Sequence, residues 1–283
     1  MRKIKLAKTG EVIPVLGQGL WGISRLRGLF KGKKNYEKIK SAIRKGIELG
    51  MTHIDTAELY GWGKAEELLG DIVKEYSRDD LFITSKLFPI HVREKCMKKA
   101  AKRSLKRLGI DYLDLYLIHW PSKFISITKE MNVLESLVNE GKTRYIGVSN
   151  FSVKQFKIAQ ESLKKEELVN NQLHINITNQ KHIHKSLPYY QRNGITITAY
   201  SPLAHSGYTN LKSNLREILE QLAIKYNSTI QQIAIAWLIN HENIISIPKA
   251  FNINHVEDNA KAAEIILSHK DIELFYNFFQ NYK

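Results

Sequence analysis

The 283-residue chain has a single cysteine, Cys96, so no intramolecular disulfide can staple it. That scarcity fits a reducing compartment, and a cytoplasmic location is expected. Long apolar runs are missing too: nothing approaches the ~18 residues of a membrane span. The opening residues MRKIKLAKTG are basic, yet no apolar segment follows them, so no signal peptide is expected. Acidic residues are few beside basic ones, 28 against 43, leaving a net charge of +15. Such an excess raises the question of nucleic acid. The densest basic cluster, RLRGLFKGKK at 25–34, lacks both aromatic interleaving and zinc-ligand spacing. The other lysines are spread along helical segments, as over 93–107, which reads as a solvated surface. Neither a nucleic-acid nor a membrane partner is expected, although a positive surface would attract a phosphorylated cofactor. No metal-ligand set stands out either, because HIH at 182–184 lies on a polar stretch away from the strand ends described below.

What is present is an ordinary globular balance, 43% hydrophobic and 25% charged, in a chain long enough to bury a large core. Short apolar, β-rich runs recur: VLGQG (15–19), MTHID (51–55), LFITSK (81–86), LDLYLIH (113–119), YIGVSN (145–150), LVNNQ (168–172), ITITAY (195–200) and IISIPK (244–249). Helical spacing of apolar residues marks segments starting at Asn35, Glu94, Thr128 and Thr229, and a terminal helix from Asp271. Gly50, Gly109, Gly141 and Gly194 follow helices or helical patterns, where a left-handed cap is wanted. The expectation is an α/β fold, a (β/α)₈ TIM barrel, occupying 1–283 as one domain. A doubly wound open sheet is the competitor. The preceding IKLAKTGEVIPV reads as a hairpin turning near Thr9 and Gly10, placed to cover the barrel bottom. GQGLWG at 17–22 matches the glycine pattern of dinucleotide-binding open sheets, but a long basic loop separates it from the next helix. The pattern needs a helix to start at its third glycine, so it is read as a decoy.

Polar residues close almost every strand: Asp55, Lys86, His119, Ser149 with Asn150, Gln172, Tyr200 with Ser201, and Lys249, with Trp21 after the first. In a barrel these ends converge on one mouth, where active sites collect. Each alone has a bland explanation: a surface lysine, a satisfied core histidine, a packing tyrosine. Their common placement points to a site. Asp55 and Lys86, on adjacent strands, can pair, and Lys86 beside Tyr60 is expected to lower the phenol's pKa. Tyr60 could then give a proton to a carbonyl oxygen, which His119 would orient. No nucleophile with an adjacent base accompanies them, so the hydride must come from something bound.

HIDTAELYGWGKAEELLG, ITSKLF, LYLIHWP, GKTRYIGVSNF, NNQLH, TAYSPL and IPKA, in that order, resemble the motifs of the aldo-keto reductase family over nearly the whole chain. The resemblance implies a (β/α)₈ barrel that transfers hydride between a nicotinamide and a carbonyl carbon. It implies a catalytic tetrad of Asp55, Tyr60, Lys86 and His119, with Tyr60 as acid. Ser149, Asn150 and Gln172 would meet the carboxamide, and Tyr200 would stack on the ring. Ser201 and Leu203 would hold the pyrophosphate, and Lys249, Ala250, His255, Asp258 and Asn259 the adenosine end. Gly19, Leu20, Trp21 and Asp55 complete the cofactor set. Three positions depart from the family pattern: Ala250 replaces a hydroxyl residue, His255 an arginine and Leu20 a threonine. These weaken the grip on a 2′-phosphate. NADP(H) is still expected, with NAD(H) as an alternative, because Lys249 remains and a histidine can hold part of a charge near neutral pH.

The substrate pocket is expected from Trp21, Leu59, Phe88, His119 and Trp120, with Trp62 at its rim; their apolar character suits hydrophobic carbonyl compounds. SPLAHSGYTN after Tyr200 is brief, and no C-terminal tail is expected to close the pocket, which implies an open site for aldehydes and small ketones. Arg25 and Arg27 would favour acidic substrates. Two other functions stay open at this point. One is a cofactor-binding interaction protein like the channel β subunits of the family, and the other is a Schiff-base aldolase using Lys86. Members of this length imply a monomer.

Overall fold

The computed structural model describes residues 1–23, 33–204, 208, 211 and 213–280. Arg25 and Arg27 lie outside the described residues, as does much of the loop after Ala204. Strands β1 (Lys3–Lys5) and β2 (Val12–Pro14) pair antiparallel with Ile4 opposite Ile13. Their turn is stitched by Thr9, whose Oγ1 and backbone N–H both donate to the Leu6 carbonyl, at 2.6 and 3.1 Å.

Eight parallel strands follow: β3 (Gln18–Gly19), β4 (His53–Asp55), β5 (Phe82–Leu87), β6 (Leu113–Ile118), β7 (Thr143–Ser149), β8 (Leu168–His174), β9 (Thr196–Tyr200) and β10 (Ile244–Ile247). Each pairs with the next in chain order. Backbone bonds close the seam between first and last: Gly17 N–H donates to Ser246 O (2.8 Å), Ser246 N–H to Val15 O (2.9 Å), and Gly19 N–H to Pro248 O (3.2 Å). The sheet is therefore a closed barrel, as expected, and not the open competitor. Crowding on both sides of this strand, by β4 and across the seam, explains the first two glycines of the decoy pattern. A Cβ on Gly17 would stand 2.7 Å from His53 O, and one on Gly19 would stand 2.8 Å from Ile247 O. Only glycine lets this strand approach both neighbours so closely.

Eleven helices lie among the described residues: α1 (Lys33–Glu48), α2 (Lys64–Val73), α3 (Glu94–Leu108), α4 (Ile127–Asn139), α5 (Val153–Glu161), α6 (Lys181–Lys185), α7 (Leu187–Asn193), α8 (Ser213–Lys225), α9 (Ile230–Ile239), α10 (Ile253–Lys261) and α11 (His269–Gln280). Reciprocal capping boxes start α5 (Ser152 with Gln155) and α9 (Thr229 with Gln232). Left-handed glycines, Gly109 and Gly194, end α3 and α7. The apolar spacing marked α1, α3, α4, α9 and α11; it did not single out α2, α5, α6, α7, α8 or α10.

The hairpin seals the bottom as expected. Leu6 and Ile13 pack against Phe82, Leu115, Leu117, Val169 and Ile245 from the barrel interior. Around that plug, buried Asp114 accepts from Arg78 Nη2 (2.6 Å), Arg144 Nη1 (2.9 Å) and the Ile83 N–H (2.7 Å). Arg144 also pairs with Glu11 of the hairpin, so the plug is bound to the barrel by charge as well as by packing.

Candidate active site

Strand alternation divides the upper barrel cleanly. Ile54, Leu87, Ile118, Val148, Leu173 and Ala199 belong to the apolar layer shared with the helices. Their chain neighbours Asp55, Lys86, His119, Ser149, Gln172 and Tyr200 therefore point into the barrel, since successive side chains face opposite ways. These ends surround a cavity of about 470 Å³ lined by Asp55, Tyr60, His119, Ser149, Gln172 and Tyr200 at its sides and floor.

Lys86 is completely buried beneath that floor and uses all three of its N–H groups. Its Nζ donates to Asp55 Oδ1 at 2.5 Å, to the Thr56 carbonyl at 2.9 Å and to Tyr60 Oη at 3.1 Å. Gln172 Nε2 donates to the other Asp55 oxygen, Oδ2, at 2.8 Å. Burial pushes Asp55 up and Lys86 down from their ordinary values, and the attraction between them pulls each back. The pair is where the sequence placed it. An amine spent on three acceptors is poorly placed to attack a carbonyl, which removes the argument for a Schiff base at Lys86.

One expectation is corrected. Tyr60 is not lowered by Lys86; burial first, then the Asp55 charge, holds the phenol well above its usual value of 10.0. Proximity to an ammonium could be read from sequence, whereas the depth of burial could not. The consequence is a phenol that stays protonated, as a proton donor must. Burial, reinforced by the Lys86 charge, also holds His119 at about 2, so its ring is neutral. Its Nδ1 is buried with no hydrogen-bond partner among the described residues, leaving Nε2 as the nitrogen with access to the cavity. The Tyr60 and His119 rings meet edge to face at 5.6 Å.

The opposite wall is a chain of polar side chains. Tyr200 Oη donates to Asn150 Oδ1 (2.9 Å), and Asn150 Nδ2 donates to Ser149 Oγ (3.0 Å) and to the His119 carbonyl (3.1 Å). Ser149 Oγ donates to the Gln172 carbonyl at 3.0 Å. The imidazole of His174 lies parallel to the Tyr200 ring, 5.2 Å between centroids, so one face of that ring is covered from behind. At the mouth, Lys249 stands over Trp21 and Phe251, with 5.7 Å to each ring. Gly19, Trp21, Trp120, Ser201, Leu203 and Lys249 also line the cavity.

Other expected residues lie further out. Leu20 is buried, and its backbone N–H donates to Asp55 O at 2.9 Å. Leu59 and Phe88 are half-buried and stand outside the cavity wall formed by the described residues; Phe88 packs edge-on to Trp120 at 5.3 Å. Ala250 is half-buried, His255 is exposed in the first turn of α10, Asp258 pairs with Lys261 at 3.8 Å, and Asn259 is buried. Sequence reasoning missed Phe251, although an aromatic two residues past Lys249 at a strand end was a usable signal. It also missed the Thr56 carbonyl, a backbone group with no residue-type signature, and His174 behind Tyr200. Among the described residues no cluster of His, Cys, Asp and Glu could hold a metal, and no helix is long and apolar enough to cross a membrane.

Comparison with known proteins gives this geometry a context. The chain is similar to methylglyoxal reductase YeaE of Escherichia coli, 32% identical over 97% of this chain and 94% of that protein. It is 35% identical to the glyoxal reductase of Bacillus subtilis over 93% and 88%. Among solved structures, the thermostable aldo-keto reductase Tm1743 with the inhibitor epalrestat superposes with a TM-score of 0.88, at 38% identity over 98% and 99%. An aldo-keto reductase of Klebsiella pneumoniae in complex with NADPH does so at 0.88, with 31% identity over 99% and 95%. The model of the Aldo/keto reductase family matches residues 15–277, and the chain belongs to that family.

Proposed function

We propose that this protein reduces aldehydes or ketones to alcohols with NADPH, Tyr60 giving the proton to the carbonyl oxygen. The observation that carries the reading is the simultaneous donation from Lys86 Nζ to Asp55 and to Tyr60 Oη. When Tyr60 releases its proton, the phenolate that forms already has an ammonium hydrogen bond directed at it. Asp55 keeps that ammonium charged, and Gln172 keeps Asp55 oriented. His119, neutral, donates from Nε2 to the same substrate oxygen and fixes its position between two donors.

NADPH as the partner is supported by the Klebsiella relatives, solved with NADPH and with NADP and acetate. The chain's own groups fit such a dinucleotide. Gln172 retains one N–H and its carbonyl for an amide, Tyr200 offers the ring face away from His174, and Lys249 offers a cation near the mouth. Bound there, the dinucleotide supplies the hydride. Ser149, Asn150, Ser201, Leu203, Asp258 and Asn259 are assigned to the same cofactor, while Trp21, His119 and Trp120 border the substrate. Methylglyoxal and glyoxal, which name two relatives, are the first substrates to try. A monomeric enzyme of the cytoplasm, with 1–283 as a single functional unit, is the accompanying reading; the lone cysteine supports the compartment.

The direct experiment follows NADPH and NADH consumption against a panel of aldehydes, ketones and sugars. Turnover of at least one dicarbonyl or aldehyde is expected. Cofactor binding with no turnover across the panel would instead favour the interaction-protein alternative.

A further inference from the structure

His174 and Tyr200 are register partners on the neighbouring parallel strands β8 and β9. Paired positions in a sheet project to the same side, which sets the two rings 5.2 Å apart and within 13° of parallel. Tyr200 lines the cavity, whereas His174 stands outside the wall formed by the described residues. Whatever His174 contributes to the site therefore passes through the Tyr200 ring.

The imidazole is itself fixed along both edges. Asn176, almost completely buried, accepts the Thr178 N–H at 3.0 Å and the Thr178 hydroxyl at 2.8 Å through Oδ1. Its Nδ2 is thereby turned towards His174 Nε2, 3.2 Å away, and also donates to Ser201 O at 3.1 Å. Asn179 Nδ2 donates to the His174 carbonyl at 3.1 Å and lies 3.2 Å from ring Nδ1. The two asparagines are joined through the backbone, Asn179 N–H donating to Asn176 O at 2.9 Å. Ser201, whose carbonyl Asn176 holds, has a φ of 52°, a left-handed conformation that serine seldom adopts. Tyr200 is thus held by Asn150 at its hydroxyl, by His174 on one face and through Ser201 at its backbone.

We propose that His174 is a positioning residue, which holds the Tyr200 ring from behind so that its other face is a preformed platform for the nicotinamide. The inference rests on the cofactor assignment of the reductase reading and extends it to a residue that does not meet the cofactor. A tyrosine ring free to tilt back would have to be ordered by each nicotinamide that binds, and part of the stacking energy would be lost to that ordering.

The test measures dissociation constants by isothermal titration calorimetry in the wild type, H174A and H174F. The probes are NADPH and 2′,5′-ADP, which carries the adenosine end without a nicotinamide. H174A should weaken NADPH about fivefold, the worth of one aromatic pair, and leave 2′,5′-ADP within about twofold. H174F restores a ring but neither nitrogen, and should return NADPH to within about twofold of the wild type. An H174A loss below about threefold overturns the inference, as does an H174F value outside its range. An equal loss for 2′,5′-ADP also overturns it, since the substitution would then have damaged the fold at large. Absence of carbonyl turnover sinks the reductase reading alone, and a loss in H174A specific to NADPH would still uphold the role of His174. A wild type that does not bind NADPH overturns both.

Discussion

Gln172 Nε2 donates to Asp55 Oδ2 over 2.8 Å, although 117 positions separate the two residues in the chain. The bond crosses the barrel interior from β8 to β4, and it leaves Lys86 to serve the other carboxylate oxygen. Both residues are almost fully buried in the cavity floor, so little water reaches them to replace the partner. Gln172→Leu keeps the approximate volume and strands Oδ2. We expect a loss of about 2 kcal/mol in urea unfolding, the cost of an unsatisfied buried acceptor, together with weaker NADPH binding. Unchanged stability would show that Asp55 does not depend on this donor.

Tyr60→Phe removes one oxygen from the floor and leaves the cavity shape intact. Fluorescence titration should find NADPH binding within about threefold of the wild type, while kcat for aldehyde reduction falls roughly 10²–10⁴-fold. Wild-type kcat in this variant would sink the assignment of Tyr60 as acid.

Two buried histidines make stability depend on acid. His53 is held at about 3 and His119 at about 2, both below the ordinary 6.5 and both chiefly by burial. Their folded forms stay neutral while the unfolded chain takes up protons as pH drops below 6.5. Their contribution is thus complete above that pH and is lost progressively towards the folded values. Each adds a slope of about 1.4 kcal/mol per pH unit once the unfolded histidine is fully protonated. Urea unfolding between pH 6 and 4 should therefore steepen with acid, and His53→Asn should remove about one proton's worth of that slope. An unaltered slope would mean that His53 is protonated in the fold.

Cofactor choice follows from the adenosine end. Lys249 is present, but Ala250 and His255 supply neither hydroxyl nor guanidinium. At pH 7 NADPH should still bind at least about tenfold more tightly than NADH, and His255→Arg should widen the gap by a further factor of about ten. Equal dissociation constants in the wild type would remove the 2′-phosphate from the recognition argument.

The legible parts of this molecule are those governed by period and residue type. Strands that alternate put Asp55 and Lys86 on one face, and an apolar run ending in a charged residue announces that face from residue type alone. Gly109 and Gly194 mark helix ends because a left-handed cap suits glycine above other residues. Illegible parts depend on depth or on backbone. The upward shift of Tyr60 comes from burial, which no neighbour list conveys. Thr56 acts through its carbonyl, which every residue has. The break between α6 and α7 falls at Ser186, where Pro188 opens a new short helix, and segments of five and seven residues are too short for apolar spacing to be read. Trp62 was expected at the pocket rim, yet it stands outside the cavity wall formed by the described residues, and its left-handed backbone emerged only from the geometry.

The seam that closes the barrel joins residues 15–19 to residues 246–248, nearly opposite ends of the chain. Loop closure over that span is an entropic cost that the seam contacts must offset. Lys249, which stands over the Trp21 ring in the finished fold, is synthesised more than two hundred residues after it. A truncated translation product therefore has Asp55, Tyr60, Lys86 and His119 in its sequence but no mouth to gather them. The last strand, β10, is therefore what closes the wall around residues supplied by β4, β5 and β6.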